Sequence, residues 1–327
     1  MDNITHSLAG WALGQAGLKT KTRKGLAALI LGANMPDIDV FFGKFPWDPL
    51  AIHRGFTHGL IGGVLLMPPI LAGLLWLLDR WQVGRGATFK SGLEMHFGWL
   101  VALAYLGAAT HPLLDLQTTY SVQLFSPLSM RWYHSDSLFI IDVWLWSLLG
   151  LTIAWSRMRE KRGQPWRRPP QIAIAVTLAY IALNLAIAAR AGAHVRQWAG
   201  GRAVNALFAS PPPVLFWRRE LVWREGDCYR RSGFDPLGRG FAPVSACEPT
   251  HLSNPWVRAA LASDPELRKF LRWSILPQAA VQRQRCAVRV TVGDARYGTR
   301  GRSRLGHETL VPVAGPGCPL DTARPQP

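Results

Sequence analysis

Long apolar stretches alternate with short polar ones along the first 190 residues of the chain. Four of the apolar stretches hold about 18 to 20 residues, and a helix of that length covers about 27 to 30 Å, the thickness of the hydrocarbon layer of a bilayer. The pattern therefore predicts four transmembrane helices. They lie at residues 59–78, 97–114, 138–155 and 172–189.

Two shorter apolar segments, residues 4–18 and 26–35, precede the first predicted span. Each is typical of a helix but is too short to cross a membrane by itself, since a span needs about 20 residues. We expect the two segments to form a helical hairpin that packs into the bundle.

The last third of the chain has no long apolar run. It combines a proline-rich joint at 210–214 with alternating stretches such as 286–292, a pattern typical of a strand-containing soluble domain. The predicted fold is an all-α membrane helical bundle, with four long transmembrane helices and a short N-terminal hairpin, joined to a small C-terminal α+β soluble domain. We predict a membrane-embedded domain at 1–191, a basic soluble domain at 192–310 and a flexible tail at 311–327.

The composition is that of a membrane protein. Of the 327 residues, 49% are hydrophobic, 17% are charged and 15 are Trp, which is too apolar and too aromatic for a typical soluble enzyme. The formal net charge is +17, but the chain has no zinc-finger, RNA-binding or basic-zipper signature, so nucleic acid is not an expected partner. Membrane lipids are the expected partner, and the oligomeric state is open.

Basic residues predict the orientation of the bundle. Thirteen Lys and Arg lie in 19–24, 80–92 and 156–170, whereas the loops 36–58 and 115–137 hold three. Because basic loops stay in the cytoplasm, the first set is expected to face inward. The fourth span then delivers the C-terminal domain to the extracytoplasmic side, and the N-terminus, which lacks the basic start of a signal peptide, is expected to be retained.

All the cysteines of the chain lie in the C-terminal domain, and none has the close spacing of a zinc knuckle or a redox motif. An even number suits up to two disulfides in an oxidising compartment, and four buried free thiols are the alternative. The cysteines are Cys228, Cys247, Cys286 and Cys318.

Histidines and aspartates gather near the predicted outer ends of the apolar segments. Ionisable groups at membrane depth are costly, so they point to a functional site. Several imidazoles and carboxylates without a thiolate suit Zn²⁺ or another divalent ion, one or two in number. The residues are His6, Asp37, Asp39, His53, His58, His111, Asp115, His134, Asp136 and Asp142.

The spacing of these residues suggests individual roles. His111 and Asp115 are four residues apart and thus share a helix face, where they can bind one metal ion or where the carboxylate can orient the imidazole. Asp136 is placed to cap the third predicted span, whereas Asp142 lies inside that span and needs a partner. Arg54, beside the outer histidines, is suited to stabilise an anionic oxygen.

Simpler structural interpretations compete with these roles. Aspartates that follow a helix are ordinary caps, which applies to Asp37 and Asp39. Histidines at a membrane interface, such as His53 and His58, often only anchor the chain there.

Several motifs in the first two thirds of the chain resemble those of the YdjM-like family of inner-membrane proteins, which are described as metal-dependent hydrolases. The motifs are DNITHSLAG, PDID, HRGFTHGL, THPLLDLQTTY and HSDSLFIID. The resemblance covers residues 1 to about 190 and implies a multi-pass protein of the bacterial inner membrane. It also implies a metal site made of His6, Asp37, Asp39, His53, His58, His111 and Asp115, with Asp136 and Asp142 as auxiliary residues. The order of the motifs is remotely similar to the zinc-dependent phospholipase C group, although a later HxxxE ligand pair is missing from the sequence.

The leading hypothesis is a metal-dependent hydrolase of ester or phosphoester bonds in a lipid or envelope substrate. A bound metal would lower the pKa of water to about 7. In this hypothesis Asp37 or Asp39 bridges two ions or accepts a proton, and Arg54 and Asp136 assist catalysis. The first-choice metal ligands are His6, His53, His111 and Asp115.

Two other classes of function stay open. One is an ion or proton transporter, which is disfavoured because the polar groups gather at one side rather than stepping through the bilayer. The other is a non-catalytic envelope protein in which the metal is a structural staple and the basic C-terminal domain binds an acidic partner. A closed ligand shell would favour the staple, since catalysis needs an open coordination position.

Overall fold

The computed structural model describes residues 1–42, 54–313 and 318. Its contacts divide the chain into two compact units. The first unit contains Met1–His194, Ala209–Glu220 and Gly233–Phe241, and the second contains Val195–Phe208, Leu221–Ser232 and Ala242–Pro327.

Helices form most of the first unit. A 3₁₀ segment at Met35–Phe42 follows the second helix, and a π-helical segment at Leu60–Leu66 leads into the third. The α-helices are α1 Asn3–Gln15, α2 Gly25–Asn34, α3 Met67–Gly84, α4 Phe97–Asp115, α5 Val143–Lys161 and α6 Arg168–Ala199, whose last turn belongs to the second unit.

Helix α2 packs closely between α1 and α4. A Cβ atom built on Gly10 of α1 or on Gly107 of α4 would collide with the backbone oxygen of Leu29 in α2. Small residues allow such backbone approach between membrane helices. Leu29 itself and Ala28 are completely buried in the shared core. The two short predicted segments are therefore both helical and packed into the bundle, as expected.

Within the described residues, three helices are long and apolar enough to cross a membrane by length and composition. They are Leu60–Gly84, Phe97–Asp115 and Arg168–Ala199, with mean hydropathies of 2.1, 1.4 and 2.3. They correspond to the first, second and fourth predicted spans.

The predicted span at 138–155 is wrong. Helix α5 begins only at Val143, because the Asp142 side chain caps its first turn. Its last turns carry Arg157, Arg159, Glu160 and Lys161. The apolar run is thus divided between a non-helical entry and a helix that ends in charged residues.

Strands and two short helices follow α6, which confirms the strand-rich C-terminal region. The elements are β1 Asn205–Ser210, β2 Arg219–Glu225, β3 Cys228–Asp235, β4 Gly240–Phe241, β5 Glu248–Pro249, α7 Pro255–Ser263, α8 Pro265–Trp273, β6 Pro277–Arg283, β7 Ala287–Asp294 and β8 Gly306–Pro312. The first sheet has the order β1-β2-β3-β4 with β5 on β3, and the second has the order β6-β7-β8.

The second sheet lies entirely in the second unit and is antiparallel. Val281 of β6 pairs with Val290 of β7, which pairs with Thr309 of β8. Val288, Val290 and Val292 are all buried, so one face of β7 forms a core in the two-residue alternation of a half-buried strand.

The four cysteines form two disulfides, which is the first of the two alternatives. Cys228 bonds to Cys247 and Cys286 bonds to Cys318, with Cα separations of 5.6 and 5.2 Å. Strand β8 continues to Pro312, past the predicted start of the tail. Apart from Val313 and Cys318, the rest of that tail lies outside the described residues.

Candidate metal centre

Five predicted ligands meet in the first unit. His6 comes from the first turns of α1, Asp37 from the 3₁₀ segment after α2, and His58 from a short 3₁₀ turn before the π-helical segment. His111 and Asp115 come from the last turns of α4. His6, His58, His111 and Asp115 are completely buried, and Asp37 is 7% exposed. We call these five residues the His/Asp cluster.

The donor atoms of the cluster form two overlapping groups of three. Each group has one ligand atom per residue, and these atoms lie within 4.8 Å of one another. The groups are His6, Asp37 and His111, and His58, His111 and Asp115. His111 belongs to both groups, so the arrangement suits either one ion or two neighbouring ions.

His111 is oriented by a backbone carbonyl. Its Nδ1 atom lies 2.6 Å from the oxygen of Ala33, which can only accept, so Nδ1 carries the proton and donates. The lone pair of Nε2 then faces Asp115 Oδ2 at 3.4 Å and Asp37 Oδ1 at 3.6 Å. Metal-binding histidines are typically held in this way by an acceptor on the other ring nitrogen.

His58 is oriented by two side chains. The Thr57 hydroxyl donates to Asp39 Oδ2 at 2.6 Å, so its oxygen can accept from Nδ1 of His58 at 3.0 Å. Nε2 of His58 then faces Asp37 Oδ1 at 3.1 Å and Asp115 Oδ2 at 3.7 Å. Burial opposes a charged imidazole here, but hydrogen bonds with the two neighbouring carboxylates outweigh it and raise the pKa of His58. The position between His58 and the carboxylates therefore suits a proton or a metal ion.

His6 is stacked on His111 with ring centroids 3.8 Å apart and an angle of 15° between the planes. Burial, followed by the proximity of His111, lowers the pKa of His6 to about 3. Neither ring nitrogen of His6 has a hydrogen-bond partner among the described residues. The neutral imidazole is the form that binds metals.

Arg54 adds the positive charge at the edge of the cluster. Its Nη2 atom lies 3.4 Å from Asp115 Oδ1, and Nη1 donates to the Thr118 hydroxyl at 3.1 Å. The guanidinium lies over the ring of Tyr120, 4.5 Å from its centroid. The amino group of Met1 also donates to Asp115. Oδ1 of Asp115 thus faces Arg54 and the Met1 amino group, whereas Oδ2 has no hydrogen-bond partner within the described ranges.

Asp136 and Asp142, the two residues predicted to assist the metal site, lie outside the His/Asp cluster. Asp142 is not inside a helix but caps α5: its Oδ1 accepts from the backbone of Trp144 and Leu145 at 3.1 and 3.0 Å, and its Oδ2 accepts from the Tyr180 hydroxyl at 3.1 Å. Asp142 therefore takes the capping role that was predicted for Asp136.

Asp136 is engaged by other groups. Its Oδ1 lies 2.9 Å from Nδ1 of His134, and its Oδ2 accepts from the backbone of Ala209 at 2.7 Å. Neither Asp136 nor Asp142 belongs to the two groups of converging ligand atoms. Of the other predicted ligands, Asp39 contacts the far side of His58 at 3.4 Å, and His53 lies outside the described residues.

Sequence reasoning missed the groups that orient the two histidines. Thr57 precedes His58 in the TH pair, a signal that was present in the motif. The Ala33 carbonyl had no sequence signal, because any residue supplies the same backbone oxygen. Its role follows only from the packing of α2 against α4.

The comparisons with known proteins concern the part of the chain that holds this cluster. A family model described as YdjM inner membrane protein matches residues 1–191. Searches of curated proteins and of solved structures each found no match. The similarity to the zinc-dependent phospholipase C group is not confirmed by any of these comparisons.

Proposed function

This chain belongs to the YdjM inner membrane protein family, since the family model matches more than half of its 327 residues, and we propose on that premise that it is a metal-dependent hydrolase. The proposed reaction is hydrolysis of an ester or phosphoester bond in a lipid or envelope substrate. The proposed cofactor is a divalent ion, Zn²⁺ in the first place, held by the His/Asp cluster.

The single observation that carries the proposal is the set of buried ligand atoms without partners. Among the described residues, both ring nitrogens of His6, Nε2 of His111, Oδ2 of Asp37 and Oδ2 of Asp115 have no hydrogen-bond partner. A buried polar group left without a partner costs about 1 to 3 kcal/mol. Several such atoms that converge on one place are stabilised by a cation between them.

The donor set fits a divalent ion. Imidazole nitrogens and carboxylate oxygens without thiolates suit Zn²⁺ and neighbouring transition metals. The Ala33 carbonyl and the Asp39–Thr57 pair hold His111 and His58 with one nitrogen turned toward the carboxylates. A divalent ion in such a site lowers the pKa of water to about 7 and so supplies hydroxide for hydrolysis at neutral pH.

The residues of the chain have separate tasks in this proposal. Asp37 presents Oδ2, which is suited to accept a proton from water. Arg54 is held beside Asp115 with its Nε unpartnered within the described chain, and it supplies positive charge for an anionic oxygen of the substrate. Both oxygens of Asp136 are engaged, so its predicted catalytic role is not retained.

Metal content tests the ligand assignment. We expect purified full-length protein in detergent to hold one or two divalent ions per chain and the His111→Ala, Asp115→Asn double variant to lose most of them. The matched control is His96→Ala, because His96 is an exposed histidine in the chain segment just before α4, outside the cluster. Equal metal content in the double variant and the control, measured by elemental analysis, would refute the assignment.

A structural metal staple is the second candidate, and it is favoured by the complete burial of His6, His111 and Asp115. Hydrolysis assays against phospholipids and generic phosphoesters separate the two functions, with and without chelator. Chelator-sensitive hydrolysis supports the enzyme. If chelation lowers the unfolding temperature while the metal-loaded protein hydrolyses none of these substrates, the staple is favoured.

We also propose that the C-terminal region faces the extracytoplasmic side. With three candidate spans instead of four, the basic residues at 156–170 no longer share a side with those at 19–24 and 80–92, so the distribution of basic residues does not carry this placement. The proposal rests on the two disulfides, because such bonds persist in oxidising compartments. Reporter fusions after residue 191 test it: activity of a reporter that works only in the cytoplasm would contradict it.

A further inference from the structure

A pocket lies at the end of α1 opposite to the His/Asp cluster. It has a volume of about 580 Å³ and is formed by the last turns of α5, the following loop and the first turns of α6. His6 and Gln15 are about 14 Å apart along the axis of α1, and Gln15 donates to Glu160 at the end of α5. The pocket is therefore separate from the metal site. Its lining residues are Trp155, Arg159, Pro165, Arg168, Pro169 and Ile172.

We propose that this pocket binds an anionic phospholipid of the membrane, with the phosphate at the two arginines and the first part of an acyl chain along the apolar wall. Arg168 has no hydrogen-bond or ion-pair partner in the described part of the chain, and Arg159 uses Nε to donate to the oxygen of Pro165 at 2.6 Å. A guanidinium group matches the geometry of phosphate oxygens and prefers two parallel hydrogen bonds.

The local charge favours an anionic ligand over a zwitterionic one. Glu160, an acidic residue at the end of α5, is already paired with Lys19, with Nζ 2.5 Å from Oε2. The further basic residues in this part of the chain are Arg157, Lys161, Arg162 and Arg167. Lys and Arg near an anionic membrane surface attract its headgroups, and this attraction falls off within a Debye length, so the residues that line the pocket contribute most.

The apolar wall of the pocket points to a lipid rather than to a soluble phosphate compound. Trp155 is 51% exposed and Ile172 is 63% exposed, and Ile172 lies one turn into the candidate span that begins at Arg168. Arg168 is the first residue of that candidate span and Arg159 lines the same pocket, so both arginines are suited to contact lipid headgroups. Tryptophan is enriched at the depth of lipid headgroups.

Cations stacked on aromatic rings surround the pocket. Arg159 lies over Trp155 at 5.6 Å, and Lys19 lies over Trp166 at 4.5 Å, measured to the ring centroids. Such pairs keep the charge at the membrane surface while the ring remains in the apolar layer. The pocket therefore lies within a basic and aromatic border, and its volume of about 580 Å³ is large enough for one headgroup.

Native mass spectrometry of the full-length chain in neutral detergent tests this proposal. The protein is titrated with dioleoyl phosphatidylglycerol, which is anionic, and with dioleoyl phosphatidylcholine, which is zwitterionic. We expect the anionic lipid to bind more tightly and the Arg159→Gln, Arg168→Gln double variant to bind it on the order of tenfold more weakly. The control variant, Lys161→Gln, Arg162→Gln, removes the same charge outside the pocket and should change this affinity by less than about twofold.

Three outcomes of the lipid titrations would overturn the proposal, and a fourth comes from the competitor below. The three are equal affinities for the two lipids, an unchanged double variant, and an equal loss in the control, which would mean diffuse attraction by net charge. If the double variant does not fold, Arg168→Gln alone removes a charge without removing a hydrogen bond and should still weaken binding several-fold. Glycerol 3-phosphate serves as competitor. Displacement of the lipid by an equal concentration of it would assign the pocket to a soluble phosphate compound instead.

Discussion

Asp115 in the first unit and Asp264 in the second are both aspartates in contact with histidine, but their surroundings differ. Asp264 caps α8: Oδ1 accepts from the backbone of Glu266 and Leu267, and Oδ2 accepts from the Thr309 hydroxyl and lies 2.8 Å from Nε2 of His307. Both carboxylate oxygens of Asp264 therefore accept at least one hydrogen bond. Oδ2 of Asp115 instead faces imidazole nitrogens and has no hydrogen-bond partner within the described residues.

This difference separates a structural aspartate from a candidate ligand. Both residues would pass a search for histidine next to carboxylate, so proximity alone does not identify a metal site. The distinguishing features are complete burial and unpartnered acceptors that face one another, because that arrangement is unfavourable until a cation is present. The following predictions test this distinction, in order of decreasing effect.

The largest effect is expected for Asp115→Ala compared with Asp264→Ala. Loss of Asp115 leaves the buried Arg54 guanidinium without its carboxylate and should lower the free energy of unfolding by about 3 to 5 kcal/mol, with loss of bound metal. Loss of Asp264 removes a helix cap and should cost about 1 kcal/mol, with metal retained. Thermal unfolding in detergent and elemental analysis measure both. If both variants lose the same free energy of unfolding and the same amount of metal, Asp115 is a structural aspartate like Asp264.

The second prediction concerns the close packing that positions His111. Gly107 lies one turn before His111, and a Cβ there would collide with the Leu29 backbone, so Gly107→Ala should destabilise the protein by about 1 to 3 kcal/mol and lower metal occupancy. The matched control is Gly98→Ala in the same helix, where no atom of the described residues beyond the helix's own backbone lies within 4 Å of the added methyl group. It should be neutral or stabilising by up to about 1 kcal/mol. If both variants behave alike, this packing is not what holds His111 in place.

The third prediction concerns Asp142, which the sequence placed among the ligands. Asp142→Ala should cost about 1 kcal/mol through loss of the α5 cap, whereas Asp142→Ser, which keeps a capping oxygen, should cost less. Both variants should bind as much metal as the wild type. Metal loss in Asp142→Ser would return Asp142 to the ligand set.

The smallest effect is expected for the pH dependence of folding stability that Asp264 confers. Burial raises its pKa, but hydrogen bonds from Thr309 and with His307 outweigh burial and lower the pKa to about 2. Because the unfolded value is about 3.9, the ionised carboxylate stabilises the fold above that pH, and this contribution is lost as the pH falls through about 2.

The matched comparison is wild type against Asp264→Asn, which can still cap α8 but does not titrate. Their difference in unfolding temperature should be largest near neutral pH and should shrink between about pH 4 and pH 2, with no more than about 1 kcal/mol involved for a group near the surface. A difference that is constant from neutral to acidic pH would contradict this assignment.

The sequence predicted the helices whose apolar runs begin and end sharply, including α1, α2 and α4. It failed at α5, where Asp136 and Asp142 both precede apolar residues and both look like caps. The backbone of Asp136 has a φ of 55°, and its carboxylate binds the Ala209 backbone. Only Asp142 is left to begin the helix, and a contact to a residue 73 positions away cannot be read from a local pattern.

For the candidate site, the sequence predicted the set of residues but not how they are oriented. The spacing of His111 and Asp115 placed them on one helix face. The gathering of histidines and aspartates at the ends of apolar segments already included His6, Asp37 and His58, and the family resemblance then implied them as metal ligands. The orientation of His111 by Ala33 was not predictable, since it depends on the approach of two backbones.

The sequence by itself determined that the chain is a membrane protein with an acidic and histidine-rich set of residues, because the length of apolar runs and the identity of ionisable side chains are local properties. Only the tertiary structure decided which of these residues come together in the buried His/Asp cluster. Helices α1, α2 and α4 meet at glycines, and that contact brings imidazoles and carboxylates from distant parts of the chain to within a few ångströms of one another.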